Sequence, residues 1–329
     1  MRIVFILLLF FSTGLTSWAQ KDDFKISQIF PIEASHSYVG FSIRYMGYAM
    51  VRGRFPVFKG AVRFDERDVA KTSVSISIEV ASLDTDNDWR DKDLKSDNWF
   101  AAETYPRIEF VSQKTEITAQ GLNVTGLLTI RGTTKTVMMA MATPSGVLGD
   151  VRGDSQVVFT GSLTINRNDY GVEGKNWSAV KEGMTAVASE VNIEITILAK
   201  QIKEKNFRNW VSDPESPEGK IYGIVKTEGV ENAVKKFESL QSDPANKIAE
   251  GTLNTAAYML LKENRSKDAL VLFRKNVDAY PQNGMVYSSY AECLASLENW
   301  SDAKKYYSLA LEKDPGNMSI REVLRHIKP

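Results

Sequence analysis

Between residues 38 and 200 the apolar side chains recur at every second position, the period of a strand with one buried and one solvated face. Val39, Phe41, Ile43 and Tyr45 alternate with Gly40, Ser42 and Arg44, and Val74, Ile76, Ile78 and Val80 alternate with Ser73, Ser75, Ser77 and Glu79. The pattern returns over residues 122–130, at Val157, Phe159, Gly161, Leu163 and Ile165, and over 187–197. Shorter pieces at 58–64, 108–112 and 137–141 bring the count to about eight strands. Parallel strands are covered on both faces and read as unbroken apolar runs, so clean alternation predicts antiparallel pairing. Only residues 87–96 read as helix in this half, with Trp89 and Leu94 as apolar contacts, too short a piece to cover a sheet. The strands must bury their apolar faces against one another. That predicts an all-β antiparallel barrel, which at eight strands is wide enough to be filled by side chains or to hold one small ligand.

Beyond residue 200 the period turns helical, after a polar segment that carries Pro214 and leads to Pro217. This predicts a barrel domain over 20–200, a linker over 201–216 and an all-α domain over 217–329. The helical part repeats itself. Ala269, Phe273, Pro281 and Asn283 recur as Ala303, Tyr307, Pro315 and Asn317, each pair 34 positions apart, and Asn254, Ala257 and Leu260 map likewise to Ser288, Ala291 and Leu294. A 34-residue period of this kind resembles the tetratricopeptide repeat, in which small residues let paired helices approach and an aromatic fills the gap between repeats. Ala233, Phe237 and Pro244 read as a degenerate first copy. That makes three repeats, the usual minimum for a stable stack, with 319–328 as an amphipathic capping helix.

Ahead of the barrel, Met1 and Arg2 precede an apolar run over 3–11 and a Ser17-Trp18-Ala19 site with small residues at both key positions. A cleaved secretory signal peptide over 1–19 is expected, because the run is shorter than the about 20 residues needed to span a bilayer. The mature chain is therefore expected in the periplasm or secreted, without a transmembrane span. A length of 329 residues suits two domains, and 43% hydrophobic against 25% charged residues suits a soluble globular chain. Lys+Arg and Asp+Glu number 41 each, which removes the basic excess of a nucleic-acid-binding protein.

The inventory for chemistry is thin. One cysteine, Cys293, and two histidines, His36 and His326, exclude a Cys/His zinc site, and Cys293 on a buried helix face reads as packing. Asp84, Asp86 and Asp88 open like a calcium loop, but Trp89 stands where a glycine must turn the chain and Lys95 where a glutamate must close the cage. The segment reads instead as a turn, with Asp84 or Thr85 capping the helix and no metal bound. His36 lies between Ser35 and Ser37, but no G-x-S-x-G elbow accompanies it, and neighbours on a strand point to opposite faces. It reads as a structural histidine, and no catalytic residue and no cofactor are expected. What remains is the barrel interior: Val39, Phe41, Ile43 and Tyr45; Phe55, Phe58 and Phe64; Val74, Ile76, Ile78 and Phe110; Leu128 and Ile130; Phe159, Leu163 and Ile165. These side chains either meet as an ordinary core or line a tube for an apolar ligand, and periodicity does not choose.

Seven blocks, in order along the chain, carry a resemblance. They are 36–43 (HSYVGFSI), 51–55 (VRGRF), 81–85 (ASLDT), 89–100 (WRD, LKS and WF), 105–110 (YPRIEF), 126–135 (GLLTIRGTTK) and 165–172 (INRNDYGV). Together they resemble the YceI-like polyisoprenoid-binding proteins. The resemblance implies a lipocalin-like barrel with an elongated apolar cavity for one long isoprenoid chain of polyprenyl or quinone type. Such a chain can bind tightly without catalytic apparatus, since each buried CH2 is worth about 0.8 kcal/mol. The family often has a histidine where Tyr45 stands and another where Asp93 stands, so the resemblance implies either a different head group or a barrel kept as a scaffold. Arg90 and Arg167 fall in matched blocks and are the candidates to face a head group, with ion pairs to Asp91 and Asp169 as the alternative. The function expected is non-catalytic: an isoprenoid or quinone-like lipid in the barrel, and a protein or peptide partner on the repeats. The alternative is an interaction scaffold with a filled barrel, its function resident in the repeats.

Overall fold

The computed structural model describes residues 24–327, apart from 152, 175–176, 178–179, 182–183, 202–210 and 244–247. The expected signal peptide and most of the expected linker lie outside the described residues. The first half is one antiparallel sheet of eleven strands: β1 (Ile29–Pro31), β2 (Tyr38–Tyr45), β3 (Ala49–Arg54), β4 (Phe58–Arg63), β5 (Ser73–Glu79), β6 (Arg107–Thr118), β7 (Gly121–Ile130), β8 (Thr133–Ala142), β9 (Leu148–Gly149), β10 (Ser155–Asn166) and β13 (Val187–Gln201). The order is β1-β4-β5-β6-β7-β8-β10-β13-β2-β3, with β9 beside β10, and a separate two-residue pair, β11 (Val180–Lys181) and β12 (Met184–Thr185), stands apart. The eight expected strands are present. The three extra ones in the sheet are β1, β3 and β9, which alternation could not find: β1 and β9 are too short, and β3 reads Ala-Met-Val-Arg-Gly-Arg.

The sheet curls because the chain after β1 reaches two strands at once. The amide of Ile32 donates to the Gly60 carbonyl on β4 and that of Glu33 to the Leu198 carbonyl on β13, both at 2.9 Å, and Ile32 pairs with Ala199. Close approach of rings to backbone helps the curl: at Gly126 on β7 a Cβ would meet the Phe110 ring at 2.5 Å. Across one end lies helix α1 (Asp88–Lys95), and Asn87 caps it, its side chain accepting from the Arg90 amide at 2.9 Å. Asp84 and Thr85, expected at that cap, are engaged elsewhere: Asp84 pairs with Arg54 at 2.8 Å, and Thr85 donates from its amide and hydroxyl to Asp91.

The second half is helical: α2 (Pro217–Thr227), α3 (Val230–Ser242), α4 (Gly251–Lys262), α5 (Ser266–Ala279), α6 (Gly284–Ser296), α7 (Trp300–Lys313) and α8 (Met318–His326). The 34-residue period has a physical counterpart. Ala269 and Ala303 are fully buried, as are Ala257 and Ala291, and Phe273 and Tyr307 fill equivalent interior positions. Asn283 and Asn317 each cap the following helix, accepting from Met285 and Ile320 amides at 2.9 and 3.1 Å.

Helix α8 falls where the amphipathic cap was expected, but it has two partners. One side closes the helical core through Ile320 and Val323, and the other lies on the outer face of β1, β4 and β5. There the expectation of a solvated outer face fails, since Ser73 and Ser75 are buried. Glu322, with no solvent exposure, accepts from the hydroxyls of Ser73 and Ser75, from Arg325 at 2.7 Å and from His326 at 3.0 Å. Arg325 also donates to the Ser112 carbonyl at 2.5 Å, and Arg63 of β4 donates to His326 Nδ1 at 3.0 Å. Burial by itself pushes the Glu322 carboxyl up. The His326 hydrogen bond, the Arg325 charge and the two serine hydroxyls outweigh it and hold that carboxyl down at about 2.

Candidate functional site

The inward residues of the barrel do not meet. They enclose a cavity of about 460 Å³, within the range of roughly 300–1,000 Å³ typical of small-molecule sites. Its wall takes Val39, Phe41, Ile43 and Tyr45 from β2, then Phe55; Val74, Ile76 and Ile78 from β5; Phe110 from β6; Leu128 and Ile130 from β7; and Phe159, Leu163 and Ile165 from β10. Phe58 and Phe64, expected on the wall, are not on it. They stand at and just beyond the ends of β4 as packed core, Phe64 edge-on to Phe30 and Phe159 at 6.5 and 5.6 Å, and only Val62 of β4 reaches the cavity. A period of two tells which side of the sheet a residue faces but not whether its neighbours roof it over. The same wall contains residues not singled out from sequence: Val191, Ile193 and Ile195 of β13 were visible in its alternation, whereas Trp99, Phe100 and Trp177 arrive from irregular segments that no period marks.

The polar wall residues Asn87, Arg90, Asp93 and Arg167 gather at the α1 end, with Thr72 elsewhere on the wall. Asp93 accepts from two indoles, Trp99 Nε1 at 2.9 Å and Trp177 Nε1 at 3.2 Å, and so ties α1 to both tryptophans. Tyr45 and Trp89 each lie edge-on to Trp177 at 6.4 Å, so Tyr45 and Asp93, the two positions singled out for lacking histidine, meet the same indole. Arg90 donates to Thr85 Oγ1 and Thr85 O at 2.8 and 2.7 Å. Arg167 is buried and donates to four backbone carbonyls, those of Ala188, Val172, Glu173 and Val187, at 2.6–3.0 Å, while its guanidinium lies 5.2 Å from the Trp99 ring. Burial lowers the pKa of that guanidinium from its ordinary value. Neither alternative ion pair forms. Asp91 accepts from Thr85, and Asp169 lies 3.5 Å from Lys135. Arg167 has thus committed most of its five N–H groups to the backbone, whereas Arg90 keeps donor capacity at the cavity.

His36 is exposed and off the wall, in a 3-10 turn (Ala34–His36) rather than on a strand. Ser35 Oγ and Glu33 Oε2 both converge on its Nδ1, at 3.2 and 2.7 Å, whereas a catalytic triad needs one partner on each ring nitrogen. Cys293 is buried among the helices, and burial pushes its thiol up to about 12. Among the described residues no His/Cys/Asp/Glu group could hold a metal ion, and no helix is long and apolar enough to cross a membrane.

The family model described as the YceI-like domain matches residues 30–199, so the helical half lies beyond the match. A UPF0312 protein of Photorhabdus laumondii is 39% identical over 139 residues, 42% of this chain and 72% of that protein. Another from Pseudomonas aeruginosa is 32% identical over 155 residues, 47% of this chain and 78% of its own. Among solved structures, BcnA of Burkholderia cenocepacia is 29% identical, covering 51% of this chain and 99% of that one with a TM-score of 0.44. A polyisoprenoid binding domain from Saccharophagus degradans, implicated in plant cell wall breakdown, is 15% identical, covering 53% and 98% with a TM-score of 0.40.

Proposed function

This chain belongs to the YceI-like domain family, and from that premise we propose that its barrel is a non-catalytic holder for one long isoprenoid chain of polyprenyl or quinone type. The observation that carries the reading is the hollow interior, whose wall is aliphatic and aromatic along its length and polar chiefly at the α1 end. A ligand matching that wall is a chain of methyl-branched hydrocarbon with a small polar head. At about 0.8 kcal/mol per CH2 removed from water, a few isoprene units suffice for firm binding. The head group meets Arg90 and Asp93, the first a donor and the second an acceptor already shared by two indoles.

The N-terminal pattern supports a periplasmic or secreted setting, where a soluble holder is what a water-insoluble chain needs. The helical half, with its 34-residue period of buried alanines and aromatics, is read as a tetratricopeptide-like stack that presents a surface to a protein or peptide partner. The test is native mass spectrometry of the gently purified full chain, followed by organic extraction. A mass increment equal to one isoprenoid per protein supports the proposal. Repeated absence of ligand, with no uptake of added polyprenyl lipids, ends it.

A further inference from the structure

The end of the barrel that carries Trp89 also carries several exposed apolar side chains. Tyr48 is 80% and Trp89 68% exposed, and Met46 and Met50 stand out from the same β2–β3 hairpin. The hairpin and helix α1 are joined at the rim through Tyr45, Trp177 and Trp89, each ring edge-on to the next at 6.4 Å. Trp89 continues the apolar wall of the cavity outward, and Met46, Tyr48 and Met50 stand out from the hairpin joined to it, whereas exposed apolar residues ordinarily occur singly.

The turn itself is costly. Met46 and Gly47 both have positive φ, 50° and 79°, as the central residues of the turn closed by the Tyr48 amide on the Tyr45 carbonyl at 3.3 Å, in a three-residue hairpin loop, and at such positions Asn-Gly is the inexpensive choice. A methionine is thus held in a left-handed conformation at an exposed tip, where a cheaper residue would make the same turn. Around the patch, Arg44 and Arg52 on the hairpin and Lys92 on α1 are exposed, and among the described residues none has a carboxylate partner. Amphipathic aromatics and flexible thioethers flanked by unpaired cations match the layered chemistry of a bilayer surface, apolar at the acyl boundary and anionic at the head groups.

We propose that this rim, made by the β2–β3 hairpin and α1, docks on the surface of an anionic phospholipid bilayer and presents the mouth of the cavity to it. The proposal rests on the reading of the cavity as a lipid site, since a chain that leaves a membrane for the barrel must do so through this mouth. The test is flotation of the mature full chain with vesicles of phosphatidylethanolamine containing a quarter phosphatidylglycerol, beside the double variant Met46→Ser/Tyr48→Ser. Neither residue lines the cavity, and both are exposed, so the fold is retained. The wild type is expected to float, less strongly with pure phosphatidylcholine, and the variant to lose at least about tenfold in partition. Uptake of geranylgeraniol delivered from cyclodextrin, without vesicles, is read separately and is expected to be the same in both proteins. Failure of that uptake in the wild type strikes the lipid reading alone. Absent flotation, equal flotation of wild type and variant, or self-association through the rim in place of vesicle binding overturns the docking surface.

Discussion

In the helical half Phe237, Phe273, Leu253, Leu260 and Leu272 are completely buried against one another and against alanines. In the barrel Ile43, Val191 and Ile193 point into a cavity of about 460 Å³. Both halves have the apolar residues to make a solid core, and only one makes it. Helices close the distance between them through small residues, and Ala233, Ala257, Ala269, Ala291 and Ala303 all have no exposure. Strands have no such freedom, because backbone hydrogen bonds fix their spacing and a curled sheet leaves its centre to whatever the side chains can reach. An apolar hollow forfeits packing, so it stands out in a molecule that elsewhere packs tightly. The difference assigns the roles: the barrel is shaped for something to enter, and the helices for stacking.

The comparison breaks first in the helical half. Phe273→Ala leaves a void in a fully packed interior and is expected to cost about 3–5 kcal/mol, read by denaturant unfolding, while lipid uptake by the barrel survives. A cost under about 1 kcal/mol would mean that this interior is as loose as the other. The join between the halves comes next. Glu322→Gln keeps the shape but removes the charge on which Ser73, Ser75, Arg325 and His326 converge, and a loss of about 1.5–3 kcal/mol is expected, with faster amide exchange along α8.

The same carboxyl sets a pH dependence of known sign. Its value is depressed from 4.5 to about 2 in the folded chain, so the stabilisation is fully present above pH 4.5 and is lost as the pH falls toward 2. Acid titration of α8 exchange should show this in the wild type and show a flatter profile in Glu322→Gln. A smaller effect on stability is expected where there is room: Ile193→Trp places its ring in the hollow and should cost less than about 1.5 kcal/mol, yet abolish lipid uptake. Least of all, Trp89→Ser at the exposed rim should change unfolding stability by less than about 0.5 kcal/mol.

The strands that alternate cleanly, such as β5 and β13, were legible in the sequence because their inward set is apolar and their outward set polar. Irregular β3 was not, since Gly53 and Ala49 leave no pattern for a sheet to impose. Which inward residues face the hollow was legible strand by strand but failed at Phe58 and Phe64, which are packed into the core, Phe64 against Phe30 and Phe159 from elsewhere in the chain. Ser73 and Ser75 were read as a solvated face, yet small hydroxyls on a sheet are also what a helix needs to lie close and to satisfy a buried carboxylate. Nothing local to β5 distinguishes the two, and the signal sits 247 residues away at Glu322. The pair of indoles on Asp93 was equally hidden, because one of them, Trp177, comes from a segment with no period at all.

The central claim is that the hollow holds one isoprenoid chain, and the most direct test is a titration of the delipidated full chain with a long polyprenol, following tryptophan fluorescence. Trp99 and Trp177 stand on the cavity wall and report its filling. The account predicts saturation at one chain per protein for the wild type and no response from Ile193→Trp. Equal uptake by the two proteins would place the lipid somewhere other than the barrel, and no uptake by a folded wild type would contradict the account outright.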